Sequence, residues 1–199
     1  MKNIYFLLSV TVYFGLSSCT SIETTTVTAD FREKEGVFVV GYTENADTRI
    51  TLEDQLVSDL TKREMVAWPS HLTLGDVINT TPQEIIDKAA EKKALSVIIL
   101  NRVAADASDS VVKNPERISP KHSTLQAFYS HSRDMQGNTY DAEQEVFVEV
   151  NLFILDRGEA KLFWSGTTWT FNADDRPAAI KDISSTIAHQ LEQVRKRYR

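Results

Sequence analysis

Four polar residues in the first half of the chain have the types and spacing that binding chemistry needs. Arg49 and Glu53 are four residues apart, which places them on one face of a helix, and Ser70 and His71 follow a short apolar segment. At the carboxyl ends of parallel strands these groups could bind a small ligand or a glycan. For Arg49 and Glu53 themselves, a surface ion pair worth roughly a few tenths of a kcal/mol is the favoured interpretation over a binding site.

Other residues with possible chemistry are scattered. His122 and His131 are nine residues apart with Asp134 nearby, a spacing more typical of solvated loop histidines than of metal ligands. The sequence has no nucleophile elbow, no glycine-rich phosphate loop and no His-Glu-x-x-His helix. A hydrolase would need a nucleophile–base pair that the spacing does not show. We therefore expect no metal, no cofactor and no enzymatic activity.

The single cysteine, Cys19, stands at the end of an amino-terminal apolar segment. Lys2 gives the first residues a positive charge, and residues 4–15 carry no charge and are almost wholly apolar. This run is shorter than the roughly 20 residues that cross a bilayer. The pattern indicates a secretory signal. With one cysteine in the chain, no internal disulfide can form.

The segment Leu16-Ser17-Ser18-Cys19 resembles the lipobox of bacterial lipoproteins. The resemblance implies that residues 1–18 are a cleaved signal peptide, that Cys19 carries the lipid, and that this lipid attaches the protein to a membrane. Thr20 after the cysteine resembles the pattern of lipoproteins sent to the outer membrane, with the domain in the periplasm. The alternative is an ordinary secretory signal that happens to end in cysteine.

Charge and length limit the remaining possibilities. Without residues 1–18 the chain has 181 residues, with 21 basic against 28 acidic side chains and a net charge of −7. A nucleic-acid partner needs a basic surface, so we expect none. The length suits one domain.

The first half of the domain predicts alternating strands and helices. Residues 19–35 are interpreted as the lipidated cysteine and a short polar tether, part of which could instead pair as an edge strand. Strands are predicted at 36–42, 65–68 and 94–100, and a helix with Thr51 as its N-cap follows the first strand. Thr81, Pro82 and Glu84 form the start signal of a second helix.

The second half predicts a long polar loop, a hairpin and a helix. Residues 105–144 lack strong periodicity and are interpreted as a loop that is functional or mobile or that hides a strand. Strands at 145–155 and 160–171 flank a turn, and a helix begins at Pro177. The predicted fold is α/β: residues 36–199 form one domain, a single mixed sheet with helices packed on it.

The spacing of two tryptophans sets a constraint on the last strand. Trp164 and Trp169 are five residues apart, so in a regular strand their side chains face opposite sides of the sheet. Both can be core residues only if helices cover both faces or if Gly166 makes a bulge.

Four short segments carry a resemblance to a known group: Phe38-Val39-Val40, Thr48-Arg49 with Glu53, Ala67-Trp68-Pro69-Ser70, and Thr81-Pro82 with Glu84. In them the chain resembles bacterial lipoproteins whose domain is similar to the amino-terminal domain of TolB and to the core of the curli-secretion lipoprotein. The resemblance implies an envelope protein that binds another protein. The polar segment 105–144 does not alternate as the membrane-inserting strands of the curli pore must.

Two functional hypotheses follow. The first is a membrane-anchored, non-enzymatic envelope module that binds a protein, with the 105–144 loop as the candidate surface. The alternative is a lipoprotein that binds a small ligand or glycan near Arg49, Ser70 and His71. The sequence leaves the oligomeric state and the identity of the partner open.

Overall fold

The computed structural model describes residues 22–26, 36–103, 123–135, 145–171 and 176–197. Its centre is one mixed sheet of six strands in the order β1-β6-β5-β4-β2-β3, with helices packed on it, and the predicted fold class is confirmed. The strands are β1 (Ile22–Thr26), β2 (Gly36–Tyr42), β3 (Ala67–Pro69), β4 (Ala94–Val103), β5 (Glu145–Asp156) and β6 (Glu159–Phe171). The helices are α1 (Ala46–Thr61), α2 (Pro82–Glu91), α3 (Leu125–Met135) and α4 (Arg176–Arg197), and Ser70–Leu72 forms a 3₁₀ turn.

The first half of the sheet is parallel, as the alternation of strands and helices predicts. β2 pairs in parallel with β3 on one side and with β4 on the other, so α1 and α2 are crossover helices. The predicted N-cap of α1, Thr51, is wrong. Asn45 is the N-cap and its side chain accepts a hydrogen bond from the Thr48 N–H, while the Thr51 hydroxyl bonds back to the Asp47 carbonyl inside the helix.

The start of α2 follows its sequence signal. Thr81 is the N-cap, Pro82 is the first helical residue, and the Thr81 hydroxyl oxygen accepts a hydrogen bond of 3.2 Å from the Glu84 N–H. Proline is suited to this position because the N–H it lacks would have no partner within the helix. The prediction for this helix start is confirmed.

The second half of the sheet is antiparallel. β5 and β6 form the predicted hairpin, whose turn residues Arg157 and Gly158 have φ angles of 51° and 86°. Positive φ at both positions matches the twist of the two strands. The register then shifts by one residue: Leu152 pairs with Trp164 but Phe153 with Leu162.

This shift leaves Phe163 as the extra residue of a bulge in β6. Phe163 and Trp164 are both fully buried in the same core cluster, although neighbours in a regular strand face opposite sides. The bulge therefore lies at Phe163 and not at Gly166. The side chain of Trp169 lies outside the described residues.

Hydrophobic cores cover both faces of the sheet. On one face, α1 and α4 pack on Val37 and Val39; on the other, α2 and α3 pack on Phe38 and Val40. Alternate residues of β2 thus enter different cores, which explains why the whole strand is apolar.

Part of the predicted 105–144 loop is helical. Leu125, Phe128 and Tyr129 lie on one side of α3 and are buried, and the rings of Phe128 and Tyr129 lie 5.6 and 5.0 Å from the ring of Tyr42. Their spacing of three and four residues is the signal of a helical apolar face, and it escaped the sequence interpretation. Residues 105–122 and 136–144 lie outside the described residues.

Part of residues 19–35, which were interpreted as a tether, forms the strand β1. This agrees with the alternative interpretation, in which part of the segment pairs as an edge strand. β1 pairs antiparallel with β6 and forms one edge of the sheet, with Ile22 opposite Thr168. Cys19 and the predicted signal peptide lie outside the described residues. In the described ranges, the model contains no helix with the length and apolar character of a membrane span.

Candidate functional site

The four predicted site residues lie together at the carboxyl ends of β2 and β3. Arg49 and Glu53 are on the first turns of α1, directly after β2, and Ser70 and His71 are in the 3₁₀ turn after β3. The two parallel strands end side by side, so the helix that follows one and the turn that follows the other meet. We refer to Arg49, Glu53, Ser70 and His71 as the Arg49 network.

The carboxylate of Glu53 is the centre of the network and is fully buried. Its Oε1 accepts hydrogen bonds from Gly41 N–H at 2.8 Å, Arg49 Nε at 2.9 Å and the Ser70 hydroxyl at 2.7 Å. Its Oε2 accepts a bond from the His71 N–H at 2.7 Å and lies 3.0 Å from His71 Nδ1. Both oxygens are therefore fully engaged by the chain itself.

The guanidinium of Arg49 connects α1 to a loop that follows the 3₁₀ turn. Nη2 donates to the Ser70 hydroxyl at 2.8 Å and to the Leu74 carbonyl at 3.3 Å, and Nη1 donates to the Gly75 carbonyl. The next residue, Asp76, accepts bonds from the side chain of Asn79 and from the Ile78 N–H, and these hold its pKa below the usual value. Arg49 thus fixes a loop that has its own internal hydrogen bonds.

The prediction that Arg49 and Glu53 form a surface ion pair is wrong. Their side chains are 6% and 0% exposed, with Nε and Oε1 2.9 Å apart. The four-residue spacing places them on one helix face, but the 3₁₀ turn and β2 cover that face. A Cβ at Gly41 would lie 3.3 Å from Arg49 Cγ, so the missing side chain of this glycine gives the pair room.

Only the imidazole of His71 brings the network close to solvent. Its side chain is 13% exposed, and its Nε2 lies 3.5 Å from Oδ1 of Asp54 on the exposed side of α1. The Ser70 hydroxyl is buried, donates to Glu53 and accepts from Arg49, and it has no hydrogen bond to His71. This arrangement does not provide the serine–histidine pair that nucleophilic catalysis requires.

Sequence reasoning found the four side chains but missed the backbone groups that complete the network. These are the Gly41 N–H and the carbonyls of Leu74 and Gly75. Backbone groups carry no residue-type signal, and the glycine at the end of β2 is the only hint the sequence offers.

The remaining candidates lie elsewhere. Trp68 is half-buried against the core of α2 and α3, and Trp164 is buried in the core of α1 and α4. His122 and the side chain of His131 lie outside the described residues. Within the described ranges, His, Cys, Asp and Glu side chains form no group of the kind that holds a metal ion.

Comparisons with known proteins give a fold likeness at low identity. No family model matches the chain, and no curated protein matches it. Among solved structures, the chain is similar to a dodecamer of a leucine-to-methionine variant of PelC from Paraburkholderia phytofirmans, with a TM-score of 0.46 and 14% identity over 84% of this chain and 96% of that chain. A second PelC dodecamer gives a TM-score of 0.42 at the same identity and coverage. Likeness at this level carries no argument about function.

Proposed function

We propose that the protein is a lipid-anchored, non-enzymatic protein of the bacterial envelope, attached through Cys19 to the outer membrane, and that its periplasmic domain binds another envelope protein. The anchor is supported by the segment Leu16-Ser17-Ser18-Cys19 and by the absence of any other cysteine in the chain. The proposal of a non-enzymatic role is carried by the Arg49 network, whose acid, base and hydroxyl groups are bonded to one another and to the backbone.

The same observation weighs against the ligand-binding alternative. A ligand at Arg49 or Ser70 would have to displace hydrogen bonds to Glu53, Leu74 and Gly75. Leaving such buried groups without partners costs about 1–3 kcal/mol each, and more for charged groups. Only His71, at the rim, reaches solvent without such a rearrangement.

The candidate partner-binding surface is narrower than the sequence indicates. Helix α3 occupies residues 125–135, and its residues Leu125, Phe128 and Tyr129 belong to the core. Removing the whole of 105–144 would therefore damage the fold. The surface is better tested through residues 106–120, which precede this helix.

Two measurements test the proposal. The anchor is tested by metabolic labelling with an alkyne fatty acid: the wild-type protein should be labelled, and a Cys19→Ala variant should lose the label and leave the membrane fraction. A variant that keeps the label would show that the lipid is elsewhere.

Partner binding is tested by affinity purification of the tagged, cross-linked protein from detergent-solubilised envelopes. A matched variant replaces residues 106–120 by a Gly-Ser segment of the same length, and circular dichroism shows whether it stays folded. We expect a defined partner with the wild type and its loss with the variant. Recovery of no specific partner by the wild type would refute the binding role.

A further inference from the structure

The first strand of the sheet begins three residues after Cys19, since β1 starts at Ile22. Three residues span at most about 11 Å when fully extended. A lipid on Cys19, which is part of the function proposed above, therefore holds Ile22 within about that distance of the attachment point. The position of Ile22 in the sheet then decides which end of the domain is nearest the membrane.

The pairing registers place the start of β1 at the end of the sheet where β2 and β4 finish. One row of paired residues crosses the sheet at this level: Glu23, Thr167, Glu149, Asn101 and Tyr42. β3 runs parallel to β2, so the Arg49 network lies at this end too. We call it the carboxyl end of the sheet.

The β5–β6 turn marks the opposite end. β5 passes through the row at Glu149 and ends at Asp156, and a strand rises about 3.4 Å per residue, so the turn is about 24 Å further along the strands. This distance is about twice the reach of the connection from Cys19 to Ile22. The connection can hold the carboxyl end at the bilayer but not the turn.

Charge does not account for the orientation. Glu44, Asp47 and Asp54 are exposed at the carboxyl end, near the start of α1. At the opposite end, the exposed side chain of Arg157 is accompanied by the exposed carboxylates of Asp156 and Glu159. Anionic lipid repels carboxylates, so charge alone would not turn the carboxyl end to such a membrane.

From these positions we infer that the domain is oriented with the carboxyl end of the sheet next to the bilayer surface. The short connection to Cys19 imposes this orientation, and the β5–β6 turn points away from the membrane. A protein partner consequently meets the domain at the turn end or along its sides.

The orientation is testable because a lipid on Cys19 leaves no other thiol in the chain. Two matched variants, Glu44→Cys and Glu159→Cys, each remove one exposed carboxylate, one at the carboxyl end and one beside the turn. The full lipoprotein is labelled with a donor dye and reconstituted into phosphatidylcholine vesicles that contain an acceptor-labelled lipid. Thermal unfolding of both variants, compared with the wild type, checks that the substitutions preserve the fold.

Energy transfer should be at least about two-fold more efficient from residue 44 than from residue 159, because the two labels lie about 30 Å apart along the strands. The same order is expected with anionic lipid in the vesicles. Equal transfer, or stronger transfer from residue 159, overturns the orientation. The intact mass separates this result from the proposed function: a Cys19 that carries no lipid refutes the anchor itself.

The cause of the orientation is tested by lengthening the connection in both cysteine variants. A Gly-Ser insert of roughly 15 residues between Cys19 and Ile22 spans about 20 Å as a flexible coil and should remove most of the difference between the two labels. If the difference persists unchanged, a membrane-binding surface and not the short connection orients the domain, and the inference is wrong.

Discussion

Helix α1 carries a charged cluster near each end, and the two clusters differ in how far they are exposed to solvent. Near its start, Arg49 and Glu53 are buried and bonded to groups from β2 and the 3₁₀ turn. Near its end, Asp59 is bonded to Lys62, whose side chain is 64% exposed. Both clusters are built from helical neighbours of opposite charge. What covers the helix face, and not the spacing along it, decides how much each cluster contributes to stability.

A side chain from a different helix binds the backbone that follows α1. Arg195 of α4 is 8% exposed and donates to the carbonyls of Arg63 and Glu64, at 3.0 and 3.1 Å. Arg195 is one of three basic residues in the last turn of α4, and it binds carbonyls that follow α1. The cluster near the end of α1 therefore combines these two hydrogen bonds from Arg195, which we call the Arg195 clamp, with ion pairs such as Asp59–Lys62.

The largest effect is expected from Glu53→Ala. It leaves Arg49 buried without its carboxylate and should lower the free energy of unfolding by roughly 3–5 kcal/mol. Urea unfolding followed by tryptophan fluorescence measures the loss. If this variant does not fold, Glu53→Gln, which keeps one acceptor oxygen, should show a smaller loss in the same direction.

The matched control is Glu192→Ala. Glu192 pairs with Lys196 at the same four-residue spacing, but the side chains of Lys196 and Glu192 are 55% and 22% exposed, and the hydrogen bond and charge of Lys196 lower the pKa of Glu192. We expect no measurable change in its unfolding midpoint. Equal losses at Glu53 and Glu192 would mean that burial does not distinguish the two pairs.

An intermediate effect is expected from Arg195→Met, which keeps much of the side-chain volume but removes the two hydrogen bonds to the carbonyls of Arg63 and Glu64. Both bonds are only partly buried, so water can replace the lost donor at the two carbonyls. The urea midpoint should therefore fall, but less than for Glu53→Ala, which leaves a buried charge without its partner. Arg197→Met, on the exposed end of the same helix, serves as the control. A midpoint that does not move in Arg195→Met would show that the clamp is dispensable.

Apart from the control variants, the smallest effect is expected from Asp59→Asn, and it should depend on pH. Burial raises the pKa of Asp59, but hydrogen bonds from Lys62 and Gln55 and the charges of Lys62 and Arg63 outweigh it, so the pKa lies below its usual value. A lowered pKa stabilises the fold above the unfolded value of about 3.9, and the contribution is lost as the pH falls through the pKa of the folded state.

Urea midpoints at pH 7 and at about pH 3 therefore test the Asp59–Lys62 pair, since the second value lies below the unfolded pKa of an aspartate. The wild type should be more stable than Asp59→Asn at neutral pH, and the difference should shrink in acid. A difference that grows toward low pH would contradict the assignment of these hydrogen bonds.

Local signals made much of the fold predictable. The apolar run of β2, the Thr81–Pro82 start of α2 and the turn at Arg157 and Gly158 depend on residues within a few positions of each other, and the structure confirms all three. The four side chains of the Arg49 network also came from the sequence, because parallel strands end at a common edge.

The features that could not be predicted depend on contacts between residues that are far apart along the chain. The burial of Glu53 requires Ser70 and His71, which lie 17 and 18 residues further along the chain, and the Arg195 clamp joins residues 131 and 132 positions apart. The bulge at Phe163 arises from a mismatch between β5 and β6 and has no glycine to mark it. Helix α3 is different, because its apolar face was present in the sequence but short and surrounded by polar residues.

The pairing of β1 with β6 also affects the order in which the strands of the sheet form. Ile22 lies opposite Thr168, so the first strand of the chain has its partner near the end of the chain. Closing so long a loop is slow compared with forming the β5–β6 hairpin. During synthesis, β1 cannot join the sheet until β6 has been made. A chain cut short before residue 164 would lack the strand that pairs with β1.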